Sequence, residues 1–366
     1  MAVVENGLVY GYNTYLDSNR YFSFQYHITV QCDQKCSHCY QFEDTHYKNQ
    51  LDNPLDIDEM HALIDEIYCF AEKYNLFVTM AITGGDPILS VNFWPLLEYM
   101  QRYSDRLGTA IMGNPFHINH EVARKLKNLN VMQYQISLDG MKETHDAIRK
   151  KGSFDASIEA LKVLHDVGIP TMAMLTVSKS NCSDIIPLID YINTLPFIDG
   201  ISFDRMIPMG NASKEEVMSS AEHRQLLFDI LKHETLSPQK IFAIRKDNLW
   251  KPLMEDIGLA MPFNTGNKIK SGCYAARNSM TILADGTLFA CRRLNLAIGK
   301  WPKDKLENTF VNNPILNSIR QYKDYNGCKD CTLKQYCRGC LGMKYAFHQN
   351  IYGQDPGCWR CNDVPE

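Results

Sequence analysis

No stretch of this chain is apolar for the roughly twenty residues that crossing a bilayer takes, so no membrane partner is expected. Positive charge is not in excess: 38 basic against 42 acidic residues give a net charge of −4, which offers no electrostatic support for nucleic-acid binding. The opening Met1-Ala2-Val3-Val4-Glu5-Asn6-Gly7 lacks the basic start and apolar core of a secretory signal, so a cytoplasmic protein is expected. Low-complexity segments and repeats of solenoid period are absent. Cysteine, by contrast, is plentiful, at 13 in 366 residues. In a reducing compartment these thiols read as metal ligands rather than disulfides, and their odd number adds to that reading.

Residues 1–20 read as a lead-in. From Tyr21 to Val30 apolar and polar residues alternate, with Phe22, Phe24, Tyr26, Ile28 and Val30 on one face, which predicts a strand. Asp56 with Glu59 forms a capping-box pattern, and Ile57, Met60, Ile64, Ile67, Ala71 and Tyr74 follow at helical spacing. The alternation continues with strands expected at 77–82, 107–112, 131–138, 170–177 and 200–206. Helices are expected at 91–104, 119–129, 153–167, 183–194 and 213–234; Gly168 and Pro170 punctuate the end of the third of these. Six such β-α units imply an α/β fold with a parallel sheet, either open and doubly wound or a partial barrel, its chemistry at the C-terminal strand ends. The pattern stops near residue 260. The expected division is a barrel-like unit over 21–240, a linker over 241–270 and a small cysteine-rich domain over 271–366.

Three cysteines, Cys32, Cys36 and Cys39, are spaced C-x3-C-x2-C directly after the first strand. A [4Fe-4S] cluster usually takes four thiolates, so three from one loop leave an iron open to another ligand. Thr83-Gly84-Gly85-Asp86-Pro87 closes the second strand, where paired glycines let the backbone make a close approach. Met112-Gly113-Asn114-Pro115 closes the third strand and Ser137-Leu138-Asp139-Gly140 the fourth; Arg149 and Gly152-Ser153-Phe154-Asp155 follow. Eight more cysteines fall between residues 273 and 361: Cys273, Cys291, Cys328, Cys331, Cys337, Cys340, Cys358 and Cys361. Thiols clustered in this way need a metal, either iron in clusters or zinc, since C-x2-C pairs are also zinc-ribbon spacing.

Across residues 21–361 the chain resembles the radical S-adenosylmethionine (radical SAM) enzymes that carry a C-terminal SPASM domain. The resemblance implies a (β/α)6 partial barrel. It also implies three [4Fe-4S] clusters, one holding S-adenosylmethionine through its open iron and reducing it to a 5′-deoxyadenosyl radical. The backbone at Gly84, Gly85 and Asp86, where the family has Gly-Gly-Glu-Pro, would meet the methionine amino group. Ser137, Asp139 and Arg149 belong to the run that reaches the ribose and the carboxylate, and a guanidinium suits a carboxylate because it donates two parallel hydrogen bonds. Asn114 stands near the family's asparagine. His38 and Tyr40, flanking Cys39, are expected beside the cofactor, His38 where an aromatic residue often packs near the adenine.

The same resemblance implies one auxiliary cluster on Cys328, Cys331, Cys337 and Cys358. It puts Cys273, Cys291 and Cys340 on the other, with Cys361 or an open iron completing it. Cys69 and Cys182 remain. Cys69 is expected to be structural; Cys182, just after the fifth strand, is the candidate catalytic hydrogen donor. Arg292 and Arg293 follow Cys291 where sulfatase-maturing members carry a catalytic aspartate, which disfavours that activity.

The resemblance implies a maturase that edits a ribosomally made precursor peptide, held extended between the two domains, by a crosslink, a thioether or a related radical change. A reductase or flavodoxin would donate electrons. The 31 residues before Cys32 are too few for a leader-binding domain, so a separate leader-binding protein is expected. The alternatives are an anaerobic sulfatase maturase, a small-molecule radical dehydrogenase, or a non-catalytic metal-binding scaffold.

Overall fold

The computed structural model describes residues 21–42, 44–236, 242–245, 247–259, 273–321, 328–334 and 336–360. The lead-in, the end of the expected linker and Cys361 lie outside the described residues. Strand β1 (Tyr21–His27) has Phe22, Phe24 and Tyr26 buried, as the alternation predicts. The cysteine loop and a short helix α1 (Tyr47–Asp52) lead into α2 (Ile57–Lys73), whose Asp56–Glu59 capping box is formed. On α2 the buried stripe is Met60, Leu63, Ile64, Ile67, Phe70 and Ala71. Each such side chain contributes roughly 1.5–3 kcal/mol by leaving water. Tyr74, expected on that stripe, is the exposed C-cap and donates to Glu307 at 2.7 Å.

The repeat continues with β2 (Phe77–Thr83), α3 (Phe93–Met100), β3 (Leu107–Met112) and α4 (His120–Asn128), which is capped by Asn119. Then come β4 (Val131–Ser137), α5 (Lys142–Ile148), α6 (Ser153–Asp166), β5 (Thr171–Val177), α7 (Ile185–Asn193), β6 (Gly200–Arg205) and α8 (Ser220–Leu236). The short α5 has no counterpart in the expected pattern, because seven residues make too few turns for a periodic signal.

Strands β1 to β6 pair in parallel and in sequence order. A doubly wound sheet would reverse its order at a switch point, so this is the partial barrel. The sheet also extends past both of its edges. Strand β7 (Phe242–Arg245) pairs in parallel with β6, inside the segment expected to be linker, and α9 (Trp250–Asp256) follows it. In the cysteine-rich segment, β8 (Ser279–Ile282) pairs in parallel with β1, and β9 (Thr287–Phe289) and β10 (Ala297–Lys300) continue antiparallel. These strands are three or four residues long, too short to show a period of two. Helices α10 (Leu306–Asn312), α11 (Pro314–Gln321) and α12 (Leu341–His348) complete the described elements.

Candidate active site and auxiliary thiol sites

The loop after β1 brings Cys32, Cys36 and Cys39 to the C-terminal ends of the parallel strands. Gln34 organises it: its backbone N–H donates to Cys32 Sγ at 3.4 Å, its Oε1 accepts from Cys36 Sγ at 3.6 Å, and its Nε2 donates to Ser153 Oγ at 3.2 Å. Burial pushes the Cys36 thiol up to about 11, with Arg149 opposing and the Cys39 and Cys32 thiols adding to the rise. Cys32 rises for the same first cause, burial. Three thiols close enough to hinder one another's ionisation are a ligand set that a cation would relieve.

Gly84 and Gly85 are required by close approach, but to this chain's own backbone. A Cβ on Gly84, whose φ is +149°, would stand 2.2 Å from Thr29 O, and one on Gly85 2.1 Å from Gln31 O. Gly85 and Asp86 donate their N–H groups to those same carbonyls at 2.9 and 2.7 Å. The second strand end is thereby stitched to the chain entering the cysteine loop. Gly84 O accepts from Gln41 Nε2 at 2.7 Å.

Asp86 is fully buried, and burial pushes its carboxyl up to about 6. Asn114 ties this wall to the thiols: its side-chain Nδ2 donates to Cys32 Sγ and Asp33 Oδ1, both at 3.1 Å, and its N–H to Asp86 Oδ1 at 3.4 Å. His117 Nε2 lies 3.4 Å from Asp33 Oδ2. Ligand atoms of Asp33, Asp86 and His117 lie within 4.8 Å of one another, an oxygen and nitrogen cluster that no motif in the sequence announces.

On the opposite side, Arg149 is mostly buried. Its Nε is paired with Asp139 Oδ2, and its Nη1 donates to Cys36 Sγ at 3.7 Å. Asp139, expected among the cofactor contacts, is wholly buried and spends both oxygens on the protein. Oδ1 accepts from Thr176 N at 2.8 Å; Oδ2 takes Arg149 and lies 3.5 Å from His38 Nε2. Burial raises its pKa, but Arg149, His38 and His145 outweigh that and hold it below the usual carboxylate range. Asp139 is therefore the residue that orients Arg149. The same contact engages His38, expected beside an adenine. Behind them His145 Nδ1 accepts from Asp139 N at 3.0 Å, and its Nε2 meets Ser153 Oγ at 3.2 Å.

Ser137 stands half-buried at the end of β4. Tyr40 lies under the Arg292 guanidinium, 5.2 Å from its ring centre, and within the electrostatic reach of Cys39 and Cys291. Arg292 itself is buried and paired with Asp44. Cys182 is half-buried and donates to Lys179 O at 3.3 Å inside its own turn, a turn held to the site by Asn181 Nδ2 on Asp139 O at 2.7 Å. Cys69 is exposed on α2, so it is not a packing residue.

In the C-terminal segment Cys328, Cys331, Cys337 and Cys358 line one cavity with Pro252, Leu333 and Arg360. Burial pushes Cys337 up to about 12. A second group forms around Arg293, which lies within electrostatic reach of both Cys340 and Cys291; Cys273 is raised by burial and by the Cys291 thiol. Cys361, the eighth cysteine of the segment, lies outside the described residues.

The model of the radical SAM superfamily matches residues 26–192, and that of SPASM, an iron–sulfur cluster-binding domain, matches residues 273–332. The chain is 31% identical, over 91% of its length and 86% of the relative's, to Fe-coproporphyrin III synthase of Methanosarcina barkeri. It is 25% identical to the mycofactocin maturase MftC of Mycolicibacterium smegmatis, over 90% of this chain and 81% of that one. Among solved structures, Streptococcus suis SuiB bound to precursor peptide SuiA superposes with a TM-score of 0.74 at 17% identity, covering 94% of this chain and 76% of that one.

Proposed function

The chain belongs to the radical SAM superfamily and carries its iron–sulfur SPASM domain, and from that premise we propose that it is a maturase acting on a precursor peptide. The observation that carries the catalytic part is the convergence of Cys32, Cys36 and Cys39 beside Arg149, whose other face is fixed by buried Asp139. The donor set fits a cluster held by three thiolates: a bound cation displaces the thiol protons and stabilises the thiolates that burial disfavours at Cys36 and Cys32. When bound, the cluster and S-adenosylmethionine supply reductive cleavage to a 5′-deoxyadenosyl radical.

The residues around them do the holding. Gly84, Gly85 and Asp86 offer backbone for the methionine amino group, and Arg149 a planar fork for its carboxylate, with Ser137, Asn114, His38 and Tyr40 completing the wall. Asp139 holds Arg149 in place. Two further clusters are assigned to the auxiliary groups, one on Cys328, Cys331, Cys337 and Cys358, the other on Cys273, Cys291 and Cys340. A reductase or flavodoxin supplies electrons, and Cys182 is the candidate hydrogen donor.

A peptide substrate is supported by the maturase relative and by the fold shared with SuiB, a structure holding a precursor peptide. Sulfatase maturation is disfavoured by Arg292, which stands after Cys291 and is committed to Asp44. A second reading, a chain that makes an iron porphyrin from a small-molecule precursor, is favoured by the name of the 31% identical relative, a Fe-coproporphyrin III synthase. The test is anaerobic incubation with S-adenosylmethionine, reductant and either short peptides encoded beside the gene or an iron tetrapyrrole precursor, with Fe-coproporphyrin III as the product sought. A mass change in a peptide with matching 5′-deoxyadenosine supports the first reading. Formation of Fe-coproporphyrin III with no peptide altered overturns it.

A further inference from the structure

Two neighbouring residues at the end of β6, Asp204 and Arg205, carry opposite charges, and each is paired with the opposite charge from the C-terminal segment. Asp204 Oδ2 accepts from Arg293 Nη2 at 2.5 Å. Arg205 donates to Asp355 through both terminal nitrogens, at 2.8 Å each, and through Nε to Asp247 at 2.6 Å. Successive side chains of a strand leave on opposite faces, so the C-terminal segment grips this strand end from two sides. All but Arg293 are at least nine-tenths buried, and Gly357 makes room for the guanidinium: a Cβ there would lie 2.1 Å from Arg205 Nη1.

The crossed pairs meet at Cys340. Asp355 Oδ2 accepts from the Cys340 backbone N–H at 2.7 Å, its Oδ1 from Gly357 N–H at 2.9 Å, and its carbonyl from Cys358 N–H at 2.9 Å. One carboxylate residue thus shapes the ligand loops of both auxiliary groups. Arg293, Arg205, Asp204 and Asp355 are also the four charges that act on the Cys340 thiol. With Asp247 on Arg205 Nε the buried set holds two cations and three anions, and each charge acts strongly because little solvent screens it.

We infer that these two ion pairs set the reduction potential of the cluster that Cys340 helps to hold, with Asp204 and Asp355 opposing its reduction and Arg205 and Arg293 favouring it. The four are positioning residues, acting on the thiolate from outside. The inference rests on the reading that the auxiliary thiols hold iron–sulfur clusters.

The test is an electron-spin-resonance redox titration of the holoenzyme, following the auxiliary component that S-adenosylmethionine leaves unchanged, alongside iron analysis. Asp204→Asn and Asp355→Asn each remove a negative charge at constant shape. Each is expected to raise the reduced-to-oxidised ratio about tenfold at fixed potential, a shift of about +59 mV for a one-electron couple. Arg293→Gln is expected to shift the ratio the other way. Full iron with unshifted potentials, or shifts of one sign in all three variants, overturns the inference. Should Asp355→Asn lose iron through its loop contacts, Asp204→Asn decides, since the Asp204 carboxylate accepts from the Arg293 side chain and the Arg205 N–H but from the backbone of no ligand cysteine. A native protein without auxiliary iron or signal would instead refute the cluster reading beneath it.

Discussion

Replacing Asp139 by asparagine changes one atom in a fully buried site. The amide keeps an oxygen for Thr176 N–H, so the backbone contact at 2.8 Å survives. The second oxygen becomes an NH2 group facing Arg149 Nε–H, a donor against a donor. Arg149 then keeps its charge, with only 12% of its side chain exposed and no carboxylate beside it. Removing one partner of a buried pair costs about 3–5 kcal/mol, so thermal or denaturant unfolding should report a loss of that order. If Arg149 also loses its aim, a charged hydrogen bond to S-adenosylmethionine worth about 1.5–3 kcal/mol goes with it. Affinity should then fall roughly ten- to a hundredfold, measured by calorimetry on the iron-loaded protein, with iron content unchanged. An Asp139→Asn protein with native stability and native affinity would refute the positioning role. Loss of stability with native affinity would confine Asp139 to the fold.

Replacing Cys32, Cys36 and Cys39 together by alanine should remove about four irons, by metal analysis, and all formation of 5′-deoxyadenosine. Acid should weaken the fold through two buried histidines. Burial lowers His27 to about 3 and His145 to about 4, both from 6.5. The unfolded chain takes up protons that the folded one refuses, so stability is full above about pH 6.5 and falls as the pH drops toward 3–4. The midpoint of denaturant unfolding followed between pH 7 and 4 checks this, and a flat profile would refute it.

Much of the catalytic wall is legible in the sequence because it hangs on strand ends, and strands of six or seven residues with alternating burial declare themselves. The cysteine loop, the paired glycines and Asn114 follow directly from them. The ion pairs do not. Asp204 and Arg205 read as an ordinary polar end to a strand, and their partners, Arg293 and Asp355, are 89 and 150 residues away, beyond any local pattern. Asp247 was hidden because Phe242–Arg245 is too short to display a period. For Asp139 the motif locates the residue, while only burial reveals that Thr176 N–H and Arg149 already take both its oxygens.

Strand β8, which comes from the cysteine-rich segment, hydrogen-bonds along the outer edge of β1, the strand that delivers the cysteine loop. That pairing makes the boundary between the two units a boundary of sequence rather than of folding. A chain ending before residue 273 would leave β1 with an open ladder, and exposed edges of this kind recruit other chains. The edge of the strand that leads into the cysteine loop is therefore covered only once residues 279–282 have been made.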